Sequence, residues 1–275
     1  MEIKGNLNVA WLDESHPNYE RWKRAREISL ERGKFVRSIV AQKIKSENLT
    51  ILDLGSGQGG TAKILSEKNT VISLDLNIVR LKSQVDFKDN ILRINGDALN
   101  VPLKTDSFDL IVLQDVIEHV NNPQSLLNSL HTLLKKNGTL YLSTPNKFSV
   151  FNIISDPHWG FPVVSLLKRE NIRKYFLKGF RKSEAERNDI AELHSLEELL
   201  KLFTSKFTFT LYTNYSVEEL LKGNKGIIWS NFHLTMLKLI KFVKFDQLII
   251  GLANDKPGII NKYFTPTFYF LLEKI

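Results

Sequence analysis

Glycines and carboxylates at regular intervals offer the clearest chemistry in this chain. Asp53-Leu-Gly55-Ser-Gly57-Gln-Gly59-Gly60 lets backbone N–H groups approach a ligand with no Cβ in the way. Two spacings are satisfied at once. Gly55, Gly57 and Gly60 match the G-x-G-x-x-G of dinucleotide sites, and Gly55, Gly57 and Gly59 match the G-x-G-x-G of nucleoside-type cofactors. Asp75 follows Gly55 by 20 residues, with Leu76 beside it, where a carboxylate can accept both hydroxyls of a ribose. Asn95-Gly96-Asp97-Ala98 adds a carboxylate and a backbone N–H. An adenine needs that pair, an acceptor for its exocyclic amine and a donor for a ring nitrogen. Asp97-Ala98 therefore favours the nucleoside-type reading over a nicotinamide oxidoreductase.

Such groups must stand at strand ends, and the apolar runs supply the strands. Residues 50–54, 70–75, 91–94, 108–113 and 139–143 read as strands, and 60–68, 77–85 and 116–134 as the helices between them. The alternation predicts an α/β fold, a doubly wound parallel sheet with helices on both faces. Right-handed crossovers then collect the strand C-terminal ends on one edge. Residues 17–45 read as one helix, with Pro17 in its first turn. Ser195-Leu-Glu-Glu198 is a capping box for another helix, and 207–213 and 267–272 read as further strands. The expected segments are an N-terminal helical stretch (1–48), a cofactor-binding core (49–145), a cap insertion (146–194), a core helix and strand (195–214), an apolar and basic insertion (215–265) and a last core strand (266–275).

The 275 residues are 43% hydrophobic and 25% charged, enough to bury a core and stay in solution, which excludes collagen-like, coiled-coil and disordered chains. Cysteine is absent, so disulfides, thiolate nucleophiles and cysteine-bound zinc or iron–sulfur sites are excluded, and a reducing compartment fits. The start, Met1-Glu-Ile-Lys-Gly-Asn6, lacks a signal-peptide core, and no run of 18 apolar residues occurs. A cytoplasmic protein, peripheral at the membrane at most, is expected. The net charge of +8 favours anionic partners.

Five motifs together resemble the class I S-adenosylmethionine (SAM)-dependent methyltransferases of the branch related to ubiquinone and menaquinone biosynthesis. They are Ile51-Leu-Asp53-Leu-Gly-Ser-Gly-Gln-Gly59, Asp75, Gly96-Asp97-Ala98, Pro102…Ser107-Phe-Asp-Leu-Ile111 and Leu134-Lys-Lys-Asn-Gly138-Thr-Leu. The resemblance is close over 45–145 and looser over 195–213 and 266–275. It implies a seven-stranded sheet with the last strand antiparallel, and SAM as cofactor. It also implies that Gly55 and Gly57 pack against the methionine part, that Asp75 holds the ribose, that Asp97 and Ala98 read the adenine, that Gln114 lies by the methionine moiety, and that Asp53 and Leu76 belong to the cofactor-binding set.

The acceptor side is less defined. Methylases of adenine or glutamine amines resemble Asn/Asp-Pro-Pro-Tyr after the fourth strand, whereas this chain has Gln114-Asp-Val-Ile. Asp115-Val-Ile-Glu118-His119 resembles the Glu-x-x-Glu-His of magnesium-dependent O-methyltransferases. On a helix these three would share a face and could hold a hard cation. We expect no bound metal, with Glu118-His119 packing beside the cofactor loop and His119 as one candidate base. The segment Ser155-Asp-Pro-His158-Trp159-Gly-Phe-Pro162 supplies His158 and Trp159 as candidate acceptor-pocket groups, His158 being the second candidate catalytic residue. It loosely resembles segments of cell-envelope glycan methyltransferases.

Two basic stretches bear on partners. Between Lys168 and Lys182 stand seven basic residues and one acid, Glu170. Phe232–Phe245 sets Lys238, Lys241 and Lys244 on an apolar helix, inside a segment (226–252) that suits a membrane face, the core or a homodimer contact. The expected function is O-methylation of a small-molecule or lipid- or glycan-linked anionic acceptor. An RNA methyltransferase is the first alternative, disfavoured because no RNA-binding module or aromatic–basic stacking motif is present. A SAM-binding relative without enzymatic activity is the second.

Overall fold

The computed structural model describes residues 12–45, 47–84, 90–97, 99–100, 103–187, 189–227 and 231–275. Ala98 lies outside the described residues. The chain divides into two compact units, Met1–Pro102 with Glu218–Gln247 and Leu103–Val217 with Leu248–Ile275. Seven strands run through it, β1 (Thr50–Leu54), β2 (Thr70–Asp75), β3 (Ile91–Asn95), β4 (Phe108–Gln114), β5 (Leu134–Pro145), β6 (Phe207–Leu211) and β7 (Thr267–Lys274), in the order β3-β2-β1-β4-β5-β7-β6.

In the first unit, β1 (Thr50–Leu54), β2 (Thr70–Asp75) and β3 (Ile91–Asn95) pair in parallel. The register sets Leu54 beside Leu74 and Asp75 beside Asn95, so the chemistry-bearing residues share the C-terminal edge. Parallel strands covered on both faces carry near-continuous apolar runs, and Ile51, Leu52, Leu54, Val71 and Leu74 are all buried. α3 (Gly60–Ser66) and α4 (Ile78–Lys82) follow β1 and β2. The Asn77 side chain caps α4 by accepting the Val79 and Arg80 N–H groups.

The single helix expected over 17–45 is two, α1 (Tyr19–Glu27) and α2 (Ser29–Val40), hinged at Ile28 with φ −94° and ψ 6°. The cause is tertiary. α2 lies directly on the loop that opens α3: a Cβ on Gly33 would stand 2.7 Å from the Gly60 carbonyl oxygen, and one on Gly60 would stand 2.4 Å from the Ser29 carbonyl. Only glycine allows that approach. The apolar periodicity continues across Ile28, which hides the hinge from sequence reading.

In the second unit, β4 (Phe108–Gln114) pairs in parallel with β5 (Leu134–Pro145). β7 (Thr267–Lys274) runs antiparallel to both β5 and β6 (Phe207–Leu211), so the last strand is antiparallel as expected. The helix expected over 116–134 starts late. Asp115 takes a left-handed φ of 54°, Ile117–His119 form a 3-10 turn, and α5 (Pro123–Leu133) begins only after Asn122, whose side chain accepts from Ser125 N–H. Proline is suited to the first helical position and restrains the residue before it, so the helix starts there. Asp115, Glu118 and His119 therefore do not share one helical face. Ser195 and Glu198 form both bonds of the capping box on the helix Leu196–Phe203. Within 146–194, Trp159, Val164, Ile172, Phe176, Leu177, Ala185 and Ile190 build a small core of their own.

Candidate active site

On the first unit, the glycine loop is tied to the end of β2 by its own backbone. Gly55 and Ser56 N–H donate to the Leu74 carbonyl at 2.8 and 2.9 Å, and Gly57 N–H donates to Asp75 Oδ2 at 2.8 Å. Gly57 has φ +54°, and a Cβ there would project into open space, meeting only the Gly55 oxygen at 4.0 Å. That open cradle, lined by backbone, is what a nucleoside cofactor's approach requires. The Asn77 N–H reaches Asp75 Oδ1 at 2.7 Å. Each Asp75 oxygen thus already accepts one backbone N–H, and a carboxylate keeps further lone pairs for two ribose hydroxyls. Leu76 is 75% exposed, an apolar face at the strand end suited to a base. Asp97 is exposed and accepts Leu99 N–H at 3.0 Å in an Asx turn.

Asp53 behaves differently. It is buried in β1, and burial pushes its pKa up to about 7, with Asp75 adding to the rise and the Ala62 N–H and Arg32 opposing it. Its Oδ2 has no hydrogen-bond partner among the described residues. Asp53 thus lies buried beneath the loop.

Two braces escape a sequence reading. Gln84, fully buried, donates to the Gly57 carbonyl at 2.7 Å and accepts from Ser73 Oγ at 2.8 Å. Asn95 donates to the carbonyls of Asp75 and Leu76, each at 2.9 Å. Gln84, just past α4, belongs to no recognisable spacing, and Asn95 is brought in by its parallel register with Asp75.

On the second unit, Gln114 closes β4 half-buried. Beyond it, Glu118, His119 and His158 each offer a ligand atom within 4.8 Å of the others. Glu118 is fully buried, with Oε2 accepting from Thr144 Oγ1 at 3.0 Å. His158 Nε2 stands 3.9 Å from Glu118 Oε1, too far for a hydrogen bond. The two imidazoles meet edge to face at 5.2 Å. Asp115 is turned to β5 instead, where its Oδ1 accepts from Ser143 Oγ at 3.1 Å. Asp115, Glu118 and His119, which could have shared a cation on one helical face, are thus not brought together; Glu118 and His119 are joined by His158 instead. The three present a carboxylate and two imidazoles, a donor set that also suits a divalent cation.

His119 has a fixed tautomer. Its Nδ1 lies 2.8 Å from the Asp189 carbonyl oxygen. A carbonyl only accepts, so in the neutral ring Nδ1 carries the hydrogen and Nε2 the lone pair. The carbonyl is held in turn by Arg187, which forks onto the Asp189 carboxylate with two bonds of 2.8 Å. Burial opposes ionisation of Asp189, but the Arg187 hydrogen bonds and charge, with His119 adding, bring its pKa down to about 2. Arg169 fastens the same turn, donating to the carbonyls of Glu118 at 2.9 Å and Ile190 at 2.7 Å, and to Asn121.

These contacts revise two expectations. Of the seven basic residues in 168–182, Arg169, Arg173 and Arg181 face the chain's own carbonyls and carboxylates, leaving Lys168, Lys174, Lys178 and Lys182 exposed. Trp159 is not a pocket wall: it is buried against Phe176, because Asp156 Oδ1 accepts both the His158 and Trp159 N–H groups at 2.8 Å and turns the indole inward.

Comparison with known proteins adds a family. A methyltransferase-domain model matches residues 23–209. The chain is 31% identical over 143 residues to an uncharacterised protein of Methanocaldococcus jannaschii, covering 51% of this chain and 60% of that one. It is 28% identical over 107 residues to the ubiquinone biosynthesis O-methyltransferase of Histophilus somni, covering 35% of this chain and 45% of that one. The chain thus spans about half the length of these curated relatives. Among solved structures, a SAM-dependent methyltransferase of Thermotoga maritima matches with a TM-score of 0.53 at 16% identity, covering 94% of this chain and 95% of that one. At that identity the likeness shows the fold.

Proposed function

The chain belongs to the methyltransferase-domain family and has the fold of the SAM-dependent methyltransferases, and from that premise we propose that it methylates an oxygen of a small-molecule or lipid-linked acceptor. Bound SAM supplies the activated methyl group on its sulfonium. The backbone around Gly55 and Gly57 and the Asp75 carboxylate hold the nucleoside and orient it, which is most of what the protein must do for a displacement at carbon. The acceptor hydroxyl has a proton to lose, and a positioned base speeds that loss.

The observation that carries the oxygen reading is the fixed tautomer of His119. The Asp189 carbonyl directs the lone pair to Nε2, and Nε2 takes the hydroxyl proton. The Glu118 carboxylate lies beside the pair, its Oε1 3.9 Å from His158 Nε2. The balance is simple: the oxygen–hydrogen and sulfur–carbon bonds break, an oxygen–carbon bond forms, and the proton leaves through His119. Ubiquinone O-methyltransferases among the relatives support an oxygen acceptor.

The gathered donors favour a second reading, in which Glu118, His119 and His158 hold a divalent cation. Such a cation, when bound, acidifies a hydroxyl it touches. Incubation with methyl-labelled SAM and a lipid and metabolite extract tests both readings. Label in an oxygen-linked methyl group supports the proposal, and label found solely on nitrogen or carbon overturns it. Turnover that survives a chelator assigns the proton to His119. Turnover lost in chelator and restored by magnesium assigns it to the cation.

A further inference from the structure

The helix Asn231–Phe242 of the first unit is amphipathic in an unusual sense. Leu237 points inward and is buried, yet Leu239 and Phe242, three residues apart on one side, are 52% and 85% exposed. Lys238 and Lys241 stand exposed beside them at the same spacing. From Phe232 to Phe245 the chain has three lysines and no acid.

The end of the helix continues the pattern. Phe245 N–H donates to the Ile240 carbonyl at 3.0 Å, the long bond of a Schellman turn. The left-handed residue of that turn, usually glycine, is Lys244 with φ 58°. The turn leaves Val243 and Phe245 exposed with a third lysine between them. None of the three lysines meets a carboxylate among the described residues. The chain then runs into Asp246–Leu252, where Leu248, Ile250 and Leu252 are exposed as well.

A helix in water would bury Leu239 and Phe242 and expose polar groups. Four large apolar side chains held outward between unpaired lysines match the surface of a helix that lies in a bilayer interface, the apolar groups among acyl chains and the ammonium groups at anionic headgroups. No helix among the described residues is long and apolar enough to cross a membrane, so the contact is peripheral. We propose that Lys238, Leu239, Lys241, Phe242, Lys244 and Phe245 form a docking surface for an anionic lipid bilayer. Charge complementarity selects this occupant. A second copy of the chain, brought in by two-fold symmetry, would set these lysines against one another.

Co-sedimentation of the full chain with vesicles tests it. The protein should bind vesicles of equal phosphatidylcholine and phosphatidylglycerol, bind pure phosphatidylcholine far less, and release in salt. Lys238→Gln with Lys241→Gln and Lys244→Gln should lower partitioning on the order of 100-fold, from about fivefold per lysine. Leu239→Ser with Phe242→Ser should lower it by about tenfold or more, from the lost apolar insertion. Phe242→Trp should show blue-shifted emission on the mixed vesicles. Wild-type protein that ignores them, or binding that both sets of changes leave intact, overturns the proposal. So does a sedimentation-velocity dimer that Leu239→Ser with Phe242→Ser dissociates while vesicles are not bound, since the face would then belong to a second copy.

Discussion

The first unit holds its candidate site with backbone, and the second holds its own with side chains. Gly55, Ser56 and Gly57 are fixed by N–H groups that bond to the neighbouring strand within about 20 residues of sequence. Glu118 and His119 are fixed by Thr144, Arg169 and Asp189, contributed by segments 26 to 70 residues away. A backbone cradle tolerates many side chains and needs a few glycines. A side-chain cluster needs every member and the cap core that orients them. Under the proposed function, the difference separates a cofactor site that many chemistries can share from an acceptor site that sets one chemistry.

The largest break in this comparison should come from the second unit. His119→Ala or Glu118→Gln should lower methyl transfer by about 10²–10⁴-fold, the usual worth of a positioned acid or base, while SAM binding is unchanged. Single-turnover label transfer beside a binding titration measures the split. A parallel loss of SAM affinity would place these residues in the cofactor site instead.

Next should come Gly60→Ala on the first unit. The added methyl would stand 2.4 Å from the Ser29 carbonyl, so α2 must shift off the loop. Overpacking of this kind costs about 1–3 kcal/mol. Urea titration should show the midpoint fall, and an unchanged midpoint would mean that the α2 contact yields without cost.

Much of the first unit was legible in the sequence because its signals are local. Strand, glycine turn and terminal Asp75 recur at fixed spacing, and the observed strands begin where the apolar runs do. What the sequence hid was tertiary. The hinge at Ile28 follows from Gly33 meeting Gly60. Gln84 carries no motif, and the bracing role of Asn95 comes from its parallel register with Asp75. On the second unit, Glu118 and His119 were visible, but their pairing with His158 rather than Asp115 depends on a left-handed Asp115 and on the buried Trp159 that anchors the cap. No spacing encodes that arrangement.

The smallest expected effects are in pH dependence, and they have opposite signs in the two units. Asp53 has a raised pKa of about 7, so the folded state binds its proton more tightly than the unfolded chain. Its contribution is complete below about pH 4 and is lost as pH rises towards about 7. Asp189, lowered to about 2, contributes above about pH 4 and loses that contribution as pH falls towards about 2. Asp53→Asn should flatten the near-neutral part of a melting-temperature profile, and Asp189→Asn the acid part. Identical profiles for both variants and the wild type would remove the electrostatic distinction.

The central claim is that the glycine cradle and Asp75 hold SAM independently of the Glu118–His119–His158 group. Isothermal calorimetry with SAM on the wild type, Asp75→Ala and Glu118→Gln tests it most directly. The account predicts micromolar binding near −8 kcal/mol for the wild type. It predicts a loss of about 1.5–3 kcal/mol for Asp75→Ala, the worth of hydrogen bonds to a charged group, and no change for Glu118→Gln. No SAM binding, tight nicotinamide dinucleotide binding in its place, or an Asp75→Ala protein that binds like the wild type would contradict it.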